Sequence, residues 1–344
     1  MSIILAIIIF SLIIIFHELG HFLVAKKCDV KVNEFCLGLG PTLLHFTKGE
    51  TTYSLKLFPF GGACMMEGED EESKDDRAFN HKPLLQRIAI VAAGPLFNFI
   101  LAYVLSVFLI GVMGYDVPTL AGVIEGSSAE EEGLAAGDTI IALNHYRVHF
   151  YQEISVYSFF HPGETMNVTY ERDGKEYQAQ ITPKYSEEAG RYLLGLQGDY
   201  TRVRGNVPTT LAYGFYEMKY QVYATFQSLK MLVTGQLSVN DMSGPVGIVK
   251  TIGDTYDESV SSGVFYVAMN MINIAILLSA NLGVMNLLPI PALDGGRLLF
   301  FFVEAIRGRK MNEEIEGRIH LVGFMLLMIL MVVVMFNDIQ KLFV

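Results

Sequence analysis

Residues Ser2 to Ala25 read SIILAIIIFSLIIIFHELGHFLVA, an apolar run interrupted by His17-Glu18-Leu19-Gly20-His21. As an α-helix rising ~1.5 Å per residue it is about 36 Å long, enough to cross the hydrocarbon core of a bilayer. Ionisable residues at that depth cost on the order of 2.5–3.5 kcal/mol each on insertion scales and rarely stand there without a task. Here three stand within five positions. Residues i and i+4 share a helix face, so His17 and His21 point the same way. That spacing lets two imidazoles grip one Zn²⁺, with Glu18 beside the metal as general base. The plainer reading is a signal peptide, which wants a charged n-region and small residues at a cleavage site. No Lys or Arg precedes Lys26, and the run ends in the histidine pair.

The whole chain fits such a beginning. Of 344 residues, 51% are hydrophobic and only 18% charged, with mean hydropathy +0.37. This is the profile of a membrane protein carrying some soluble mass. A net charge of −11 argues against nucleic acid as a partner. The acidic runs Glu67 to Asp76 and Glu130 to Glu132 read as solvated loops. Cys28, Cys36 and Cys64 all lie between the first two apolar segments. They imply no disulfide framework, and their spacing does not suit a cysteine zinc site.

Four apolar segments stand out: 2–25, about 88–115, about 264–288 and about 321–336. They predict a polytopic α-helical membrane protein with four transmembrane helices. Lys and Arg near the ends of spans set orientation. Lys26, Lys27, Lys82 and Arg87 follow span one and precede span two, and Arg307, Arg309, Lys310 and Arg318 lie between spans three and four. No such residue precedes span one or lies in 116–146. Both termini and 116–263 are therefore expected outside the plasma membrane, with the histidine pair toward the cytosolic leaflet.

The expected organisation is 1–115, two spans enclosing a membrane-associated β-hairpin region; 116–185, a small α+β domain; 186–263, an amphipathic helix and linker; and 264–344, two further spans. The hairpin rests on Thr42 to Phe46 and Thr52 to Phe58, the second alternating Tyr53, Leu55 and Leu57 with Ser54 and Lys56. Such a hairpin either pairs with an extended substrate by strand addition or is a small cytosolic hairpin that merely packs on the helices. In span two, Gly94-Pro95-Leu96-Phe97-Asn98 breaks an otherwise regular helix, and Asn98 needs a hydrogen-bond partner there. Short β-like runs fill 121–181. Ser127-Ser128-Ala129, Gly133-Leu134, Gly137-Asp138, Ile140-Ile141 and Asn144 together resemble a bacterial PDZ domain, with Ser128 where Pro is usual and His145 where Gly is usual. That resemblance implies a peptide ligand along an edge groove, or a filter over the membrane face. Residues 207–233 read as one amphipathic helix with Leu211, Phe215, Met218, Val222 and Phe226 on a stripe. It is expected on the outer membrane surface or between the PDZ domain and the spans. Ser243 to Gly247 reads as a turn.

Span three ends in Asn286-Leu287-Leu288-Pro289-Ile290-Pro291-Ala292-Leu293-Asp294-Gly295-Gly296. Two prolines stop the helix, and backbone freed at this depth must line a cavity. Asp294 is the lone carboxylate there. It reads as a metal ligand, as the N-cap of a helix over 295–306, or as both.

With the histidine motif, the Gly94-to-Asn98 break and the Asn286-to-Gly295 run together, the chain resembles the site-2 protease family of intramembrane zinc metalloproteases. A single PDZ insert resembles its bacterial branch, which cleaves anti-sigma factors and remnant signal peptides. The resemblance implies that His17, His21 and Asp294 hold Zn²⁺, that Glu18 is the catalytic base, and that Asn286, Pro289, Pro291 and Asn98 meet the substrate. It implies single-span membrane proteins or signal peptides as substrates and the lipid bilayer as medium. A non-catalytic PDZ membrane adaptor would explain the exported domain but not Glu18 and Asp294. A metal transporter usually shows paired repeats, which this chain lacks.

Overall fold

The computed structural model describes residues 1–69 and 73–342, so Asp70 to Glu72 of the first acidic run lie outside the described residues. The chain divides into two compact units, 1–105 with 237–344, and 106–236.

In the first unit, α1 (Ser2–Lys27) leads into strands β1 (Val32–Lys48) and β2 (Thr51–Met66). Helix α2 (Leu84–Met113) starts in this unit and runs on into the second. After the second unit come α6 (Pro245–Val260), α7 (Val264–Asn286), α8 (Asp294–Arg307) and α9 (Glu313–Lys341). Helices α1, α2, α7 and α9 are long and apolar enough to cross a membrane. Helix α6 is not expected from the sequence, which reads as a turn at Ser243 to Gly247. Its first turn is instead docked on α9. Asp338, 3% exposed, accepts hydrogen bonds from the backbone N–H of Gly247 at 2.8 Å and Gly244 at 3.2 Å. A carboxylate from another helix thus serves the orphan donors of this N-terminus.

The hairpin is longer and more bent than the sequence suggests. Phe35, Cys36 and Leu37 pair with Cys64, Ala63 and Gly62 on one edge and with Tyr53, Ser54 and Leu55 on the other. The ribbon therefore curls over itself. Gly38 and Gly40 in β1 and Gly61 in β2 take positive φ, which breaks the alternation that pattern reading needs. The hairpin lies along α1. Phe22 meets Phe35 with ring centroids 5.3 Å apart, and Ser11 Oγ donates to the Pro59 carbonyl at 3.4 Å. Ser11 to Phe22 is about 16 Å of helix axis. Leu39, Leu43, Leu44, Phe46, Leu57 and Phe58 on the hairpin are exposed. At its turn Glu50 bonds Arg77 at 2.6 Å and Lys26 at 2.5 Å. The Arg77 guanidinium, then Lys26, hold the Glu50 carboxyl down at about 2.

Helix α8 is anchored by ion pairs. Arg87 of α2, 6% exposed, reaches Glu304 at 2.5 Å and lies over the Phe301 ring at 5.0 Å. Arg297 pairs with Glu69.

The second unit carries β3 (Tyr115–Asp116), β4 (Leu120–Val123), α3 (Ser128–Glu131), β5 (Thr139–Leu143), β6 (Tyr146–Arg147), α4 (Tyr151–Phe160), β7 (Met166–Arg172) and β8 (Lys175–Ile181). Its main sheet has the order β6-β5-β7-β8. Strand β7 alternates buried Met166, Val168 and Tyr170 with more exposed neighbours, as a half-buried strand should. Asp173 and Gly174 both take positive φ and close the β7–β8 hairpin with the turn type that suits strand twist. Leu120, Ile140, Leu143, Ile154, Met166 and Ile181 form the core. Helix α5 (Val207–Val233) packs largely through a tyrosine stripe, with Met218 and Val222 of the apolar one half-buried. Tyr213 stacks on Tyr115 and Tyr216 on His149, both at 3.7 Å, and Tyr223 meets Tyr146 at 4.7 Å. Leu211, Phe215 and Phe226 remain exposed.

Asp138 is 1% exposed. Burial alone would raise its pKa, but Arg172 Nε at 2.6 Å and the Ala135 N–H at 2.8 Å hold it below the usual carboxylate value. A depressed folded pKa stabilises the fold above the unfolded value of ~3.9, and that contribution is lost as pH falls through the folded pKa. In Arg172→Ala burial dominates, so the loss should begin at higher pH. Near neutral pH this variant should cost about 1–3 kcal/mol. Amide exchange across 139–181 as a function of pH measures both; an unchanged acid limb would rule the ion pair out.

Candidate metal centre

His17 and His21 stand one turn apart on α1, both buried. Their Nε2 atoms are 3.3 Å apart. Asp294, the first residue of α8, places Oδ2 3.3 Å from His17 Nε2 and 3.5 Å from His21 Nε2. The N-cap of α8 is Leu293, and no side chain caps it, so Asp294 faces the imidazoles and does not serve as the cap. The three are the one cluster of metal-capable side chains found among the described residues.

The triangle suits zinc. A tetrahedral ion with ligand distances of ~2.0–2.2 Å separates its donors by about 3.3–3.6 Å. Asp294 Oδ2 is buried and makes no hydrogen bond, a costly state for a carboxylate oxygen that a cation relieves. The far nitrogen of each ring is occupied elsewhere. His21 Nδ1 lies 2.9 Å from the Ile90 carbonyl, which accepts only from an Nδ1–H. That fixes the tautomer with Nε2 free to ligate. His17 Nδ1 lies 3.2 Å from Asn98 Nδ2, and Asn98 Oδ1 is buried without a bond. Turning the amide over would let Oδ1 accept from His17 Nδ1–H and leave His17 Nε2 free to ligate.

Neighbouring elements enforce this arrangement. A Cβ on Gly94 would lie 2.3 Å from His21 Nε2 and 2.7 Å from His17 Cε1; one on Gly20 would lie 2.4 Å from the Ala93 carbonyl oxygen. Helices α1 and α2 therefore meet backbone to backbone at the depth of the donors. Ser279 of α7 donates to the Asn98 carbonyl at 2.8 Å, joining a third helix to the set. A Cβ on Gly295 would sit 2.2 Å from the Leu288 carbonyl oxygen, so only glycine lets α8 start this close to the preceding turn.

Glu18 is half-buried on α1; a Cβ on Gly62 of the hairpin would come within 3.1 Å of its Cγ. Asn286 is the last residue of α7, and Pro289 and Pro291 lie in the turn before α8. Asn98, fully buried behind His17, stands where it orients an imidazole. Sequence reasoning did not identify the Ile90 carbonyl, Ser279 or the steric role of Gly94. Only Gly94 left a signal, as part of the break in span two.

Two histidines one helical turn apart, an acid beside the first of them and a carboxylate from a distant helix form the kind of donor set that HExxH zinc enzymes use. Comparison with known proteins agrees. The chain belongs to peptidase family M50, the site-2 proteases, whose model matches residues 5–330. A Clostridium acetobutylicum protein provisionally named as a zinc metalloprotease is 39% identical over 341 residues, covering 98% of this chain and 97% of its own. Zinc metalloprotease RasP of Geobacillus kaustophilus is 34% identical over 99% of this chain and 98% of its own. Regulator of sigma-W protease RasP of Bacillus subtilis is 33% identical over 99% of both. Among solved structures, the PDZ domain of an SdrC-like protein from Listeria monocytogenes is 21% identical, covering 24% of this chain and 84% of that one, with a TM-score of 0.20. The protein is thus a membrane-embedded zinc metalloendopeptidase.

Proposed function

We propose that His17, His21 and Asp294 hold the zinc, that Glu18 is the general base, and that the substrates are membrane segments of single-span proteins, anti-sigma factors or remnant signal peptides. The observation that carries the site is the 3.3–3.5 Å triangle of donors drawn from α1 and α8. When bound, zinc polarises a scissile carbonyl and lowers the pKa of water toward ~7. Glu18 takes the water's proton and later delivers it to the leaving amine. The Ile90 carbonyl and Asn98 keep the imidazoles aimed. Asn286, Pro289 and Pro291, close to Asp294 in sequence, are assigned to holding the substrate peptide. The name of the Bacillus subtilis relative supports a regulator of a sigma factor as one substrate.

Four spans, both termini outside and an exported PDZ domain over about 116–185 complete the proposal. The lysines and arginines flanking the apolar helices support the orientation, and the four-stranded sheet with its helices supports the domain. The exposed leucines and phenylalanines of the hairpin suit contact with lipid. Metal analysis of the full chain in detergent tests the site. Wild type should carry one zinc per chain, and Asp294→Ala should lose at least tenfold in affinity. Full zinc affinity in Asp294→Ala would remove it from the donor set.

A further inference from the structure

We propose that His320, on α9, is a positioning residue for the metal centre: it holds the turn that aims Asp294 at the imidazole pair. This rests on the assignment of Asp294 to the zinc. One bond closes the turn from within, the Leu293 N–H donating to the Ile290 carbonyl at 3.1 Å with Pro291 and Ala292 at its corners. Pro289 and Pro291 have no N–H; Ile290 N–H donates to the Leu288 carbonyl at 2.7 Å. The remaining donor from 289 to 292 is the Ala292 N–H, which donates to His320 Nδ1 at 2.9 Å. Ala292 has φ +79°, the left-handed second corner of this turn, which glycine takes without cost and alanine does not. Two residues later comes Asp294.

The imidazole is itself held in place. Its ring meets Phe300 of α8 edge-on at 5.2 Å, and an accepting Nδ1 makes it the Nε2–H tautomer. One turn along α9 a Cβ on Gly323 would lie 2.5 Å from Pro291 Cβ and 2.6 Å from the Pro291 oxygen. The same face of α9 thus presses on Pro291 and bonds Ala292. Most of α9 is exposed apolar surface, Leu326 and Ile329 among it. A ring nitrogen bonded to a strained backbone N–H is a specific task for a histidine on such a helix. Helix α9 thus steadies the aim of Asp294 through the one bond that ties this turn to another helix.

The test is zinc affinity of the full chain in detergent, by competition with a chelator. His320→Leu should weaken binding about 10–100-fold, the usual cost of losing an outer partner of a metal ligand. His320→Asn, whose Oδ1 falls where Nδ1 was, should keep most of it; His320→Gln, whose acceptor lies one bond further out, should not. Ala292→Gly accepts φ +79° without strain, so it should shrink the His320→Leu penalty. A His320→Leu protein with wild-type affinity, equal losses in Asn and Gln, or the same penalty with and without the Ala292→Gly change would each overturn the proposal. If His320→Leu does not fold, the Asn–Gln comparison decides. Asp294→Ala separates the two levels. If it keeps wild-type affinity, the donor assignment falls. If it loses affinity while His320→Leu does not, only the role of His320 falls.

Discussion

The Glu18→Gln protein is expected to hold zinc as tightly as wild type and to cut a single-span reporter about 10²–10⁴-fold more slowly, the range that a positioned base contributes. Glutamine keeps the length and polarity of the side chain and removes only its basicity. Glu18 is not among the three donors, whose separations are set by His17, His21 and Asp294, so metal content should not change. In its half-buried place against Gly62 the amide fills the same space, which keeps a folding defect from intruding. Reporter cleavage and zinc content are measured on one preparation. Equal turnover by the two proteins would take Glu18 out of the chemistry; loss of zinc would make it a ligand instead.

Gly94→Ala is expected to be nearly as damaging, by a different route. A methyl group at 2.3 Å from His21 Nε2 overlaps the donor atom itself. Either α2 retreats or both imidazoles swing aside, and overpacking of this kind costs about 1–3 kcal/mol. Displacing reacting groups by even ~1 Å can cost about 10²-fold in rate. The variant should therefore lose cleavage to at least that extent and bind zinc more weakly, while remaining folded by thermal unfolding in detergent. Wild-type zinc affinity in Gly94→Ala would mean that the two helices do not approach as closely as described.

The sequence showed the pieces of the centre that lie on one helix or stand out against apolar surroundings. His17 and His21 were legible because i and i+4 share a face, and Asp294 because it is a lone carboxylate after two prolines. The partners that fix their geometry were not. Ile90 contributes a carbonyl, which every residue has; Ser279 and Asn98 meet across 181 residues. His320 could have been flagged as an ionisable residue near an apolar helix, but its acceptor role depends on the φ of Ala292. The apolar helices were legible from composition, whereas α6 was missed because its N-terminus is served by Asp338 from 91 and 94 residues away. In the hairpin, glycines interrupt the period-2 signal and hide most of its length. In α5, the tyrosines that pack stand beside an apolar stripe of which Leu211, Phe215 and Phe226 stay exposed.

The glycine contact between α1 and α2 sets the route by which a peptide can arrive. With Gly20 against the Ala93 carbonyl and Gly94 against both imidazoles, the seam between these helices is shut. A helix of ordinary girth, ~10 Å across with side chains, finds no doorway there. On the proposed function, a substrate is then expected to approach past the curled ribbon beside Glu18 or past the proline turn before Asp294.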